Sequence, residues 1–380
     1  MRAVLRVVSL LVAALVAVAA AAGAAGGPDP ARGRAAVRFD LGIVLPSEFR
    51  QVPELAGAME LARVRTVWNK VQPSCAAIRN ERFRWGAVDR ILARYTGRGI
   101  PLLMTIRGGP DCALERDGSG TALEPKRSYR PEFARFAREV VQRYGPRAKR
   151  GGAGECCGIT QLEVWNEPNI VVKWSNPDGT EYGHFLKLVS RKVRGAKASR
   201  GVRIVSGGIT SGTAAKFLRE MYRVPKVERA YDALGLHTYN ATAAGALDRI
   251  AQVRRVMGRA RDRSPIAITE HGWSTCAEPS AEFSGKCVGR GEQADELSEL
   301  LRGLFAKPRF GVDSFLWYTP QDTGRAANER DCPRRPKFFY GFFDRAGDPK
   351  PAWDVWREAT GAAGPDRLEP TPPSRQDDCK

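Results

Sequence analysis

Beyond residue 36 the chain alternates between short apolar runs and longer stretches whose apolar residues recur every three or four positions. The short runs are rich in β-branched residues and read as buried strands. They are VRFDLGIVL (37–45), RVRTVWN (63–69), IPLLMTIRG (100–108), ITQLEVWNE (159–167), VRIVSGG (202–208), YDALGLHTY (231–239), PIAITEHGW (265–273) and VDSFLWYT (312–319). Helical spacing occupies Trp85 to Tyr95, Pro131 to Tyr144, Glu181 to Ala198, Ala215 to Tyr222, Leu247 to Arg261 and Gln293 to Phe305. A first crossover falls near Pro53 to Leu61 and a last helix near Ala352 to Ala359. Eight strand–helix alternations predict an α/β fold, a parallel (β/α)8 TIM barrel, over residues 36–360. An open doubly wound sheet is the structural competitor, but LGIVLPSEFR after the first strand lacks the glycine spacing of a phosphate loop. The proline- and charge-rich stretch 361–380 reads as a flexible tail.

The first 27 residues follow a different pattern. Arg2 and Arg6 precede an apolar run from Val7 to Val18, and small residues from Ala19 to Gly27 offer Ala-x-Ala sites. This is the layout of a cleaved secretory signal, with an uncut signal anchor as the alternative. Cleavage leaves no stable membrane insertion and predicts a secreted or envelope-associated protein. The eight cysteines agree, since none forms a zinc-spaced Cys-x-x-Cys pair and disulfides belong outside the cytosol. Cys276 and Cys287 share one polar loop and form the first expected disulfide, and Cys75 with Cys112 is a second candidate. Cys156, Cys157, Cys332 and Cys379 have no assignment from sequence.

A formal charge of +19 raises the question of nucleic acid. Arginine is scattered over every segment rather than clustered with aromatics in a module, and an exported chain rarely meets DNA, so no nucleic-acid partner is expected. The scatter fits a compositional habit of the source genome. A basic surface would also attract an acidic polymer, and the charge alone does not separate the two.

The barrel assignment gives the polar residues a meaning, because the active face of such barrels lies at the C-terminal ends of the strands. Those ends carry Trp68 and Asn69, Arg107, Asn166 and Glu167, His237 and Tyr239, Glu270 with His271 and Trp273, and Trp317 with Gln321. Glu167 ends the fourth strand and Glu270 the seventh, nearly across the mouth, so both reach one central cleft. Paired carboxylates walled by aromatics suit glycoside hydrolysis, in which one protonates the leaving oxygen and the other attacks the anomeric carbon or activates water. Trp68, Trp273 and Trp317 offer faces for the C–H surfaces of sugar rings. No cofactor is needed, and three dispersed histidines speak against a metal site.

EVWNEPN followed about a hundred residues later by ITEHGWST resembles the clan A retaining (β/α)8 glycoside hydrolases, nearest to family 39-like members and more distantly to family 5 cellulases. WNKVQP, TIRGGPDCA, LHTY, FLWYTPQDT and FFDRAGDPKPAW are similar to segments of that family in the same order, so the resemblance spans nearly the whole mature chain. It implies Glu167 as acid/base and Glu270 as nucleophile. It also implies Asn166 at the sugar 2-hydroxyl, Tyr239 on the nucleophile carboxylate, and Trp317 as floor of the sugar site. A second-strand arginine is part of the pattern; Arg63 and Arg65 both face the right side, and Arg65 is preferred. Cys112 departs from the pattern, standing where relatives often carry tryptophan.

Simpler roles remain for several residues. His237 is as easily a buried, hydrogen-bonded ring as a substrate contact, and His271 as easily structural. Glu163 and Glu181 read as solvated groups, and Ser206 and Ser211 lack a nucleophile-elbow pattern. The expected function is a secreted retaining glycosidase acting on an oligo- or polysaccharide by a two-glutamate double displacement. A catalytically inactive carbohydrate-binding barrel and an envelope-glycan transglycosylase are the rivals.

Overall fold

The computed structural model describes residues 39–95, 97–116, 122–148, 158–276, 287–323 and 339–371. Eight parallel strands close into a barrel: β1 (Asp40–Val44), β2 (Leu61–Val67), β3 (Leu102–Arg107), β6 (Ile159–Asn166), β7 (Arg203–Thr210), β8 (Leu234–His237), β9 (Ile266–His271) and β10 (Val312–Tyr318). Around the barrel they run β1-β10-β9-β8-β7-β6-β3-β2. All eight expected strands are present. The pattern did not foresee the short antiparallel pair β4 (Leu114–Arg116) and β5 (Ala122–Pro125), inserted after β3.

The sequence dictates these elements locally. In the helix Arg130–Tyr144, which we label α1, a proline in the first turn gives way to buried Phe133, Phe136, Ala137, Val140, Val141 and Tyr144. That three-and-four spacing makes one apolar face. Phe133 and Phe136 pack on Trp68, each fully buried ring contributing about 1.5–3 kcal/mol. Strand residues separate by face: Val44, Leu61, Leu103, Val205, Ala267 and Leu316 fill the barrel interior, while Ile43, Leu102, Leu162, Ile268 and Phe315 belong to the layer under the helices.

Two disulfides tie the mouth: Cys75–Cys112 joins the segment after β2 to the loop after β3, and Cys276–Cys287 spans the loop after β9. The other four cysteines and the signal-like N-terminus lie outside the described residues. Among the described residues no helix is long and apolar enough to cross a membrane.

One expectation needs correction. The chain beyond Gly361 is not a free tail as far as Thr371. Leu368 is buried with its N–H on the Gly347 carbonyl, and the Glu369 carbonyl accepts from the Gln321 amide at 2.9 Å. A single apolar side chain seated under the post-β10 loop overrides the polar composition around it. Residues 372–380 lie outside the described residues.

Candidate active site

Asn166 and Glu270 reach the mouth through a slip in strand phase, and Glu167 follows as a second residue of left-handed backbone. On β6, Glu163 faces the interior, where it accepts from Thr105 Oγ1 at 2.6 Å. Asn166 also faces inward, accepting from Arg63 at 3.0 Å. An odd separation between two inward residues breaks the period of two. The break is at Trp165, whose φ of 76° turns its ring outward against Phe133 and Trp174. Glu167 follows with φ 52°. On β9 Ala267 and Glu270 both face inward, and the pairing with β8 shifts between Leu236 and His237. Such irregularities re-aim side chains and cluster at active sites.

The two glutamates meet over one imidazole. His237 Nδ1 lies 3.0 Å from Glu167 Oε1 and 3.6 Å from Glu270 Oε2, and an oxygen of each carboxylate lies within 4.8 Å of the other. Nδ1 therefore carries the proton and donates. Nε2 is packed against Gly208, where a Cβ would fall 2.1 Å from it. His237 is fully buried, so it links the carboxylates instead of contacting substrate. Burial disfavours its charged form, but the Glu270 and Glu167 carboxylates outweigh burial and hold its pKa above the ordinary value.

Glu270 is held on two more sides. Tyr239 Oη donates to its Oε2 at 3.1 Å, and the Arg63 guanidinium bonds its Oε1. Burial pushes this carboxyl up, yet His237, Arg63 and Arg65 together bring it down to about 2. Burial and the Glu270 charge keep the Tyr239 phenol well above its usual range, so it remains a donor. Arg63 also donates to Glu163 at 2.8 and 2.6 Å. Asn166 donates to Glu167 Oε2 at 3.2 Å. The side chains of Glu167 and Glu270 are 15% and 8% exposed, so neither is wholly sealed from solvent.

Several sequence expectations move. It is Arg63, not Arg65, that grips Glu270; both face inward on β2, but Arg63 lies two residues deeper along the strand and bonds both Glu163 and Glu270. Glu163, read as solvated, is fully buried as the counter-ion of Arg63, a role visible only once β2 and β6 share an interior. The three tryptophans do not wall the cleft. Trp68 is buried under α1, Trp317 stacks on Phe342 at 4.8 Å and donates to the Tyr340 carbonyl, and Trp273 packs on His271 at 4.3 Å. The cause on β10 is alternation: Leu316 and Tyr318 turn inward, so Trp317 faces the helices. The mouth on that side is lined by phenols, Tyr239, Tyr318 and Tyr340, with ring centroids 5.5–6.0 Å apart. His271 is structural: buried, bonded to Thr238, and pushed down to about 3 by burial.

Glu167, His237 and Glu270 also form a donor set that a divalent ion can use. The Arg63 guanidinium on Glu270 and the nearby Arg65 charge oppose a dication there.

No family model matches the sequence, and no curated protein matches it. Solved structures do. The chain superimposes on a family 39 glycoside hydrolase from Bacteroides cellulosilyticus WH2 with TM-score 0.60 and 16% identity, covering 85% of this chain and 64% of that one. A GH39 β-xylosidase from Caulobacter crescentus gives 0.57 and 19%, covering 85% and 72%. Xylanase B from Clostridium stercorarium F9 gives 0.56 and 17%, covering 85% and 96%. The chain thus spans less than two thirds of the first of these proteins. At such identities the likeness is one of fold: this chain is a (β/α)8 barrel of the kind those glycoside hydrolases use.

Proposed function

We propose that the protein is a retaining glycoside hydrolase in which Glu270 is the nucleophile and Glu167 the acid/base. The observation that carries this reading is the approach of the two carboxylates, within 4.8 Å through their oxygens, at the ends of β6 and β9. Retaining enzymes hold their carboxyl groups about 5–5.5 Å apart, whereas inverting enzymes need about 6.5–9.5 Å to admit a water. The environments support the division of labour. Glu270, with its pKa near 2, is ionised and ready to attack. Among the described residues Glu167 has neither a guanidinium nor a phenol bonded to it; its partners there are the His237 ring and the Asn166 amide.

In the first half-reaction Glu167 gives its proton to the leaving oxygen while Glu270 bonds to the anomeric carbon. Once the ester forms, Glu270 no longer carries charge, and Glu167 removes a proton from the incoming water. Asn166 is the amide assigned to the 2-hydroxyl of the bound sugar, and its bonds to Arg63 and Glu167, which fix it beside both carboxylates, support that role. Export is supported by the signal-like N-terminus and by two disulfides. The deciding measurement is proton NMR of the first product released from a chromogenic glycoside. Net retention is expected, and an inverted first anomer would overturn the mechanism.

A further inference from the structure

The cleft is electrostatically lopsided. On the side of β8 and β10 the polar lining is phenolic, from Tyr239, Tyr318 and Tyr340. On the opposite side, the adjacent strand ends of β2, β3 and β6 each bring a cation: Arg65, Arg107 and, in the loop after β6, Lys173. The β2–β3 register pairs Arg65 with Thr105 and Val67 with Arg107. Arg63 and Thr105 both bond the interior Glu163, so Arg65 and Arg107, two residues further on, point into the mouth. All three are partly buried.

None of the three cations makes an ion pair or a side-chain hydrogen bond among the described residues. Elsewhere on this protein arginines find carboxylates readily, as Arg143 does with Asp89 and Arg203 with Asp313. Arg65 adds to the field that keeps Glu270 ionised, but Arg63 already bonds that carboxylate directly, and Arg107 and Lys173 bond neither glutamate among the described residues. Four cations here face three carboxylates, Glu163, Glu167 and Glu270, and the acid/base must itself be protonated to begin turnover. Burial and the like charges of Arg65 and Arg63 pull Arg107 below its ordinary value, and burial and Arg107 do the same to Lys173. Desolvated like charges held together are unfavourable until an anion joins them.

We propose that Arg65, Arg107 and Lys173 form an anion-binding subsite beside the two glutamates, and that the natural ligand is a sugar bearing a carboxylate or sulfate ester. A planar guanidinium accepts either group through paired hydrogen bonds, and neutral sugar hydroxyls would leave the arc uncompensated. This deepens the glycosidase reading and rests on it for the identity of the sugar, not for the anion.

Calorimetric titration of the intact protein at 0.15 M salt tests it with D-glucose, D-glucuronate and D-glucose 6-sulfate. At least tenfold tighter binding of one or both anionic sugars is expected, and which one binds distinguishes uronate from sulfate. Lys173→Met should cut that preference severalfold and Lys173→Arg should keep it, while Arg107→Met should cut it further. Equal binding of the three sugars, or a preference indifferent to Lys173→Met and Arg107→Met, overturns the subsite. Turnover of the matching 4-nitrophenyl α- and β-glycosides separates the two readings. Anion preference with no product from any substrate would sink the glycosidase reading and leave the subsite standing; turnover without anion preference would do the reverse.

Discussion

Arg63 carries more of this site than any other single residue, because it joins the Glu270 carboxylate to Glu163 buried in the barrel. Removing one partner of a buried pair leaves the other charge without compensation, at a cost of about 3–5 kcal/mol. Arg63→Met should therefore destabilise the protein by that order in urea unfolding, and adding Glu163→Gln should recover part of the loss. The two glutamates should separate kinetically. Glu270→Ala should abolish nearly all turnover, with azide yielding a glycosyl azide of inverted configuration. Glu167→Ala should lose about 10²–10⁴-fold on substrates with poor leaving groups, keep most activity on activated ones, and give a retained azide product. Chiral analysis of the azides checks both. The low pKa of Glu270 also makes a statement about acid stability. Its folded value of about 2 lies below the ordinary 4.5, so its contribution is complete above that ordinary value and is lost as pH falls through about 2. Unfolding free energy should drop across that window, and the drop should be smaller in Glu270→Gln, as denaturant titrations at stepped pH would show.

At the level of elements, the site depends on strands that break their own period. Without the turn at Trp165 and the shift before Glu270, strict alternation from Glu163 and Ala267 would put Asn166 and Glu270 on the outer face. Neighbouring loops are then fastened individually. Lys350 is buried between Asp322, Thr275 and the Phe339 carbonyl, and so pins the post-β9 and post-β10 loops to each other. The Cys276–Cys287 bond closes a loop with a sequence separation of 11 after β9, the strand that carries Glu270. A closure of that size contributes roughly 2–3 kcal/mol through the unfolded chain. The Cys276→Ser/Cys287→Ser pair of substitutions should lower stability by that amount in thermal or urea unfolding, and an unchanged midpoint would mean the bond restrains only its own loop.

For the molecule as a whole, the net charge of +19 and the basic arc at the mouth act at different ranges. A global field of this sign would attract an acidic polymer and is screened over about 10 Å at 0.1 M salt. Partly buried contacts in the cleft are screened less. Activity on a uronate-containing polysaccharide should thus fall steeply as salt rises toward 0.5 M, roughly the range where exposed-charge attraction is lost. The preference for a small anionic sugar should fall much less. Kinetics of polymer and monomer substrates across a salt series would check this.

What the sequence determined by itself was whatever local pattern carries: eight apolar runs alternating with helical spacing, hence the barrel, and two glutamates at strand ends in short polar motifs, hence the candidate site. Two cysteine pairs were legible for the same reason, being close in the chain or near the mouth. Which face a strand residue takes was decided only in the tertiary structure, because period-two reasoning fails wherever a strand slips by one residue. On β10 it is the phase of an unbroken alternation that only the closed barrel sets: Leu316 and Tyr318 face inward, so Trp317 is buried behind the cleft and a tyrosine stands in front. The choice of Arg63 over Arg65, the burial of Glu163 and the bridging position of His237 likewise depend on partners 100, 58 and 70 residues away in sequence. Charge compensation in a closed barrel is a property of side chains brought together across its interior, and no spacing along one strand encodes it.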